Sequence, residues 1–263
     1  MTLSDELLAI AREAVAEGSS LFRDLSPQTI STKSDDRDFV TDLDVRIQTK
    51  LRDFLRRKTP DFGFLGEEED HHVVTDGYLW ILDPIDGTSN FIHHIPMCAI
   101  SLGLVRNGRP IIGVIAAPFL ALEYWATADG GAYVNGELLA ASKTTTLRRS
   151  IISIGDYATG AGSEAKNQRR FAVTTALAAS VERVRMLGSA AIDLAWVAEG
   201  RLDGCVLLSN NPWDTAAGVL IARESGAVVT DSDGSDHTIT SSHTIAATAA
   251  ISAELLSILS SAD

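Results

Sequence analysis

Trp80-Ile81-Leu82-Asp83-Pro84-Ile85-Asp86-Gly87-Thr88-Ser89-Asn90-Phe91 is the stretch on which the reading of this chain turns. An apolar strand runs straight into Asp83. Pro84 and Gly87 then force a turn, and Asp86 follows Asp83 by three residues. Two carboxylates at a strand end, separated by a proline-containing turn, can converge on one cation. Hard divalent cations such as Mg²⁺ take carboxylate and carbonyl oxygens. The carbonyl of Ile85, between the two acids, is a natural additional donor. Gly87 and Thr88 present backbone N–H groups at an expected helix start, which suits an anion. The stretch therefore offers a cradle for a cation beside one for a phosphate. The competing reading is a turn in which Asp83 and Asp86 only cap a helix.

Three further acidic clusters lie outside it. Gly66-Glu67-Glu68-Glu69-Asp70 follows the expected strand Phe62–Leu65. Alone it is a solvated loop, but a strand end is where sites assemble. Trp213-Asp214 falls in the first turn of a helix after a strand, where Asp serves as an N-cap. Asp38-Phe39-Val40-Thr41-Asp42-Leu43-Asp44 is a capped helix start, preceded by Lys33; its Asp and Thr side chains also suit the orienting of a water. Adjacent histidines, His71-His72 and His93-His94, rarely ligate one metal together and read as exposed loop residues. Cys98 and Cys205 lie in apolar runs without metal spacing, as reduced core thiols. Trp80, Trp125 and Trp196 read as core or interface aromatics.

The 263 residues are 45% apolar, which permits one large globular domain or two small ones. Helical spacing places a first helix within the opening 24 residues, stopped by Pro27. A second runs from about Asp42 to Lys58, with Val45, Gln48, Leu51 and Leu55 in register. Short apolar runs then predict strands at Phe62–Leu65, Leu79–Leu82, Cys98–Val105, Ile111–Ala116 and Leu122–Thr127, with Asn107-Gly108 as a hairpin turn. Residues 1–142 thus read as an α+β lobe with an antiparallel meander. Ala140–Leu147 is the candidate linker. Residues 143–263 alternate as an α/β lobe: strand Ile151–Ile154, helix Glu164–Ser180, strand Val184–Leu187, helix Ser189–Glu199, strand Gly204–Leu208, helix Asp214–Ser225, strands Val228–Thr230 and Thr244–Thr248, and helix Ser252–Ser260. The helix at Ser189–Glu199 is apolar on nearly every face and should be buried. The expected architecture is two-lobed, α/β layered, with a site between the lobes.

The net charge is −13. That balance argues against nucleic acid and against anionic membrane surfaces. No basic N-terminal region precedes an apolar stretch, and no apolar run approaches the length of a membrane span, so the expectation is a cytoplasmic protein. An anionic small molecule would need bound cations or a local basic patch.

Phe39–Asp44, Gly66-Glu67-Glu68, Trp80–Phe91 and Trp213-Asp214-Thr215-Ala216-Ala217-Gly218 with Glu224-Ser225-Gly226, taken in order, resemble the inositol monophosphatase family of Mg²⁺-dependent, lithium-sensitive phosphatases. That superfamily also holds fructose-1,6-bisphosphatases, histidinol-phosphate phosphatases and nucleotide 3′-phosphatases. The resemblance implies a layered α-β-α-β-α sandwich, usually a homodimer, with two or three Mg²⁺ per site. It implies Glu67, Asp83 and the Ile85 carbonyl around a first metal, and Asp83, Asp86 and Asp214 around a second. Glu68 neighbours a third. It further implies Gly87 and Thr88 (with Asp86) at the phosphate, Thr88 and Asp44 activating the water with Glu67 in the catalytic set, Lys33 near the site, and Gly188-Ser189-Ala190 beside the substrate. Leu207 stands where inositol phosphatases of the family carry an acid that contacts a sugar hydroxyl, and Asn210 and Asn211 are candidate replacements. The expected activity is hydrolysis of a small polyol or sugar phosphate, by default inositol 1-phosphate. Histidinol phosphate and a broader range of sugar phosphates are rivals. A regulatory binding protein with a vestigial site and a Ca²⁺-binding structural module are the non-enzyme readings.

Overall fold

The structure is a computed structural model and describes residues 2–23, 29–32, 39–68 and 77–262. Lys33, Asp38, Glu69, Asp70, His71 and His72 lie outside the described residues. Helix α1 (Leu3–Ser19) opens on a capping box between Thr2 and Asp5, and buries Leu7, Ala11, Ala14, Val15 and Gly18 at helical spacing. Strands β1 (Ile30–Thr32) and β2 (Phe39–Thr41) pair antiparallel. The hydrophobic pattern announces neither, because both are three residues long and only Thr41 among the six is buried. Helix α2 (Asp42–Lys58) opens on a second capping box, between Thr41 and Asp44. It buries Leu43, Ile47, Leu51, Phe54 and Leu55. Val45, expected inward, is 50% exposed, since it is two positions from both Leu43 and Ile47 and so sits on another helix face.

The first sheet holds β3 (Gly63–Gly66), β4 (Tyr78–Asp86), β5 (Ala99–Arg106), β6 (Arg109–Ala117), β7 (Leu122–Thr127), β8 (Ala132–Val134) and β9 (Glu137–Leu138), side by side in chain order. The short helix α3 (Thr88–Ile92) leaves the end of β4. Asn107 and Gly108 both adopt positive φ in the β5–β6 turn, as expected for a two-residue hairpin. One part of the expected meander is corrected: β3 and β4 run parallel. The parallel register sets Gly66 beside Leu82. Glu67 and Asp83 therefore leave the sheet at the same end.

The second sheet holds β10 (Ile151–Ile154), β11 (Arg183–Arg185), β12 (Gly204–Leu207), β13 (Ala227–Thr230) and β14 (Thr244–Thr248), in the order β11-β10-β12-β14-β13. The pairs of β10 with β11 and β12 are parallel, and β14 is antiparallel to both its neighbours. The helices among these strands are α4 (Ser163–Ser180), α5 (Ala190–Ala198), α6 (Pro212–Glu224) and α7 (Ala249–Ser261).

The layers follow from which faces are apolar. Helices α1 and α2 cover one face of the first sheet. Helices α5 and α6 cover its other face and, on their far side, the second sheet. Helices α4 and α7 close the outer face of the second sheet. This is an α-β-α-β-α sandwich. Helix α5, apolar on nearly every side, lies between the two sheets, with Ser189 as its N-cap and Gly200 at φ 73° beyond its end.

Helix α6 lies so close to the first sheet that side chains are excluded below it. A Cβ on Gly113 would stand 2.6 Å from the Ala217 carbonyl oxygen. Relief there requires backbone movement. Gly113→Ala is expected to lower stability by about 1–3 kcal/mol, the usual cost of overpacking, as a reduced urea midpoint at unchanged slope.

Candidate functional site

Strand β4 carries two carboxylates past a register shift between Asp83 and Asp86, where Pro84 has no N–H for the ladder. Asp83 is 2% exposed, and its Oδ1 accepts the Ile85 N–H at 3.0 Å. The Ile85 carbonyl accepts the Thr88 hydroxyl at 2.9 Å, with Asp44 Oδ1 3.4 Å from the same oxygen of Thr88. The other oxygen of Asp44 accepts the Thr41 hydroxyl at 2.6 Å and the Thr41 N–H at 2.8 Å. Asp44 is wholly buried. Burial pushes its carboxyl up to about 7, and the charges of Glu68 and Glu67 add to this against the Thr41 bonds.

Asp86 sits on the N-terminus of α5. It accepts the Ser189 hydroxyl, the Ala191 N–H at 2.8 Å and the Ala190 N–H at 3.3 Å. Burial raises its carboxyl to about 6 in spite of those bonds. Gly188-Ser189-Ala190, expected beside a substrate, thus stands against this acid, and the Ser189 hydroxyl is occupied within the protein. Gly87 has φ 86°, and a Cβ there would come within 2.8 Å of the Met97 carbonyl and 3.0 Å of the Gly188 carbonyl. Asn90 fastens the turn by donating to the carbonyls of Met97 and Leu187, each at 2.7 Å.

Glu67 donates its N–H to the Leu82 carbonyl at 3.1 Å, at the mouth of the β3–β4 pair. Glu68 donates its N–H to Gln48 Oε1 at 3.0 Å. Gln48 is buried, and a side chain on Gly66 would collide with it. Asp214 is not the N-cap of α6. Pro212 starts that helix earlier, Asn211 is the cap, and Asp214 Oδ2 accepts the Asn211 N–H at 2.5 Å. The Ser101 hydroxyl donates to the Trp213 carbonyl at 3.4 Å, tying the start of α6 to the residue paired with Asp83.

These acids feel one another. Burial raises the Asp83 carboxyl well above its ordinary range, and the charges of Glu67, Asp86 and Asp214 add to it. Among the described residues no three His, Cys, Asp or Glu side chains are placed to hold one ion. The donor chemistry nevertheless fits a hard cation. Glu67, Asp83, Asp86, Asp214 and the Ile85 carbonyl offer oxygen only, and their mutual repulsion is the load a divalent ion relieves.

Other expected residues fall elsewhere. Leu207 is 3% exposed and faces Leu194 and Val219 between the second sheet and helices α5 and α6. It is a core residue and presents nothing to a substrate. Asn210 donates to the Ser241 carbonyl at 2.9 Å and accepts from the Thr244 hydroxyl at 3.1 Å, which holds the loop after β12. Lys33 lies outside the described residues. His93 and His94 are exposed. Cys98 and Cys205 are buried and free, with burial pushing the Cys98 thiol up to about 12, so neither is an activated nucleophile. The sequence motifs assign no role to Gln48, Asn90 or Asp193. Asp193 is 1% exposed on α5, and its Oδ1 lacks a hydrogen-bond partner. Burial, then the charges of Asp86 and Asp156, raise its carboxyl well above the usual range, while Ser153 opposes the shift.

Residues 3–262 match the inositol monophosphatase family. A "Fructose-1,6-bisphosphatase/inositol-1-monophosphatase" of Thermotoga maritima is 36% identical over 79% of this chain and 77% of its own. An "Inositol-1-monophosphatase" of Mesorhizobium japonicum is 35% identical over 97% of this chain and 96% of its own. Among solved structures, the extragenic suppressor protein suhB from Bartonella henselae superposes with a TM-score of 0.89 at 31% identity, covering 97% of this chain and 98% of that one. An inositol monophosphatase from Anabaena superposes with a TM-score of 0.86 at 30% identity, covering 99% and 97%.

The buried acids set a pH dependence. For Asp193 the folded-state pKa lies above the unfolded one, so the native state binds the extra proton. Stability from this group is full below the unfolded carboxylate pKa, about 3.9, and is lost as pH rises through the interval up to the folded value. Asp193→Asn keeps the shape and removes the titration. In EDTA it should gain about 1–3 kcal/mol at neutral pH, and the gain should vanish in acid. Urea denaturation across pH measures both.

Proposed function

This chain belongs to the inositol monophosphatase family, and from that membership we propose that it is a Mg²⁺-dependent phosphoric monoester hydrolase acting on a small polyol or sugar phosphate, with inositol 1-phosphate as the default substrate. The observation that carries the reading is the linked set of Asp44, Thr88, Ile85 and Asp83 at the end of β4, with Asp86 and Asp214 adjoining it. Thr88 Oγ1 stands between the Ile85 carbonyl and Asp44.

Hydrolysis of a phosphate monoester builds negative charge on the attacking and leaving oxygens. Glu67, Asp83, Asp86, Asp214 and the Ile85 carbonyl would hold divalent cations, which when bound would supply charge neutralisation, Lewis acidity and a more acidic water. The protein's own groups do the rest. Thr88 Oγ1 orients the water and passes its proton towards Asp44, whose Oδ1 stands 3.4 Å from that hydroxyl. Thr41 holds Asp44 in place through two bonds to one oxygen. The Gly87-Thr88 turn holds the phosphoryl oxygens by backbone N–H groups. The buried Leu207 favours a second substrate reading within the same chemistry: a broader sugar phosphatase, lacking the acid that contacts a sugar hydroxyl in inositol phosphatases of the family.

Phosphate release from inositol 1-phosphate, histidinol phosphate, fructose 1,6-bisphosphate, glycerol 2-phosphate and 3′-phosphoadenosine 5′-phosphate at fixed Mg²⁺ tests the reading. Turnover in Mg²⁺, its loss in EDTA and inhibition by Ca²⁺ and Li⁺ are expected. No hydrolysis of any of the five would overturn it. Asp83→Asn and Asp214→Asn should abolish Mg²⁺-dependent turnover. Thr88→Val should lower kcat by about 10²–10⁴-fold, the usual contribution of a positioned proton-transfer group.

A further inference from the structure

Strands β10 and β12 run parallel and end together at Ile154 and Leu207. Crevices beyond the carboxyl ends of parallel strands are where open α/β sheets take ligands. Here α4 and the loop between β12 and α6 enclose such a cleft, of about 370 Å³. Lys166, Arg169 and Arg170 line it from α4, and Ser209, Asn210 and His243 from the opposite side.

Arg170 differs from the other basic residues there. It is 7% exposed, and it borders a small void with Ile154, Gly155 and Val206 over the strand ends. Among the described residues its guanidinium makes no hydrogen bond and no ion pair. Among the described residues Asp156, just past Gly155, forms no ion pair with it. A guanidinium carries five donors and stays charged under all ordinary conditions. None of its nitrogens is sealed from solvent, so they can meet an anion that enters the cleft. Lys166, one helical turn earlier, is exposed and free to swing over the same cleft.

We propose that this cleft binds a phosphate group, with the Arg170 guanidinium as its buried contact and Lys166 as its outer one. A dianion satisfies both cations, whereas a single carboxylate leaves one uncompensated. Arg binds phosphate through paired N–H donors, and Lys as a point charge. The loop from Asn210 reaches Asp214 within four residues, so the cleft adjoins the carboxylate cluster along the chain. The phosphate is either a second phosphate of the substrate or free phosphate. The first alternative rests on the proposed hydrolase reading; the binding itself does not.

The binding test is run in EDTA, where the carboxylate cluster repels anions. Inorganic phosphate, against chloride at equal ionic strength, should raise the melting temperature of the wild-type protein and of Asp214→Asn. Arg170→Leu and Lys166→Gln should each lose that increase. Lys166 is on the surface, so its variant keeps the test valid if Arg170→Leu misfolds. No increase in the wild type, an increase retained by both cleft variants, or one lost in Asp214→Asn would overturn the proposal. In the loaded enzyme, kcat/KM for fructose 1,6-bisphosphate relative to glycerol 2-phosphate then identifies the source. A fall of about tenfold in that ratio in Lys166→Gln assigns the cleft to a second substrate phosphate, as one lost charged contact predicts. An unchanged ratio, with phosphate binding lost, assigns it to free phosphate. If no ester is hydrolysed, the hydrolase reading fails while the melting measurements still decide the cleft.

Discussion

Repulsion among Glu67, Asp83, Asp86 and Asp214 is the constraint around which the rest of the molecule is arranged. Burial raises Asp83 and Asp86 towards their neutral forms, so each acid must be held by donors that do not move. Asp86 takes peptide N–H groups from the first turn of α5. Asp83 takes the N–H of Ile85. Asp44 and Asp214 occupy the same position in two different helices, the third helical residue, whose carboxylate accepts the N–H of the cap residue. Each of these acids also faces the cluster. One carboxylate therefore serves helix initiation and the site together, and the positive end of the helix supports its charge.

What could be read from the chain depended on whether the constraint was local. The break at Asp83-Pro84-Ile85-Asp86-Gly87 is determined by residues within a few positions, but it takes the form of a register shift inside β4, which runs on to Asp86 before turning at Gly87. The caps of α2 and α5 are equally local. The parallel pairing of β3 with β4 is not, because strand direction depends on the path of the intervening chain, yet it brings Glu67 to Asp83. Leu207 shows a different limit. Counting residues back from Asp214 reaches its position, but alternation along β12 turns its side chain into the layer of α5 and α6. Arg170 was illegible for a third reason. It lies among polar neighbours on α4, and only the packing of that helix over the strand ends removes it from water.

The two lobes suggested by composition correspond to two sheets but not to two cores. Helices α5 and α6 follow the linker in sequence and cover the back of the first sheet. Glycines make this possible. Gly103 and Gly113 clear the surface of β5 and β6 for α6, and Gly218 lets α6 approach Leu194 of α5, where a Cβ would stand 2.7 Å away. The carboxylates consequently come from both halves of the chain, and the layer between the sheets fixes their separation.

A net charge of −13 looks adverse for a protein that handles phosphate. The distribution of charge removes the difficulty. The acids nearest the β4 turn are concentrated into one buried group, where divalent cations can reverse the local sign. At the end of the β10–β12 pair three basic side chains of α4, Lys166, Arg169 and Arg170, line a cleft without any metal. Both arrangements gather one sign of charge in one place, where the local field rather than the net charge governs which ions are attracted. The net negative charge then acts mainly to keep polyanions such as nucleic acid away.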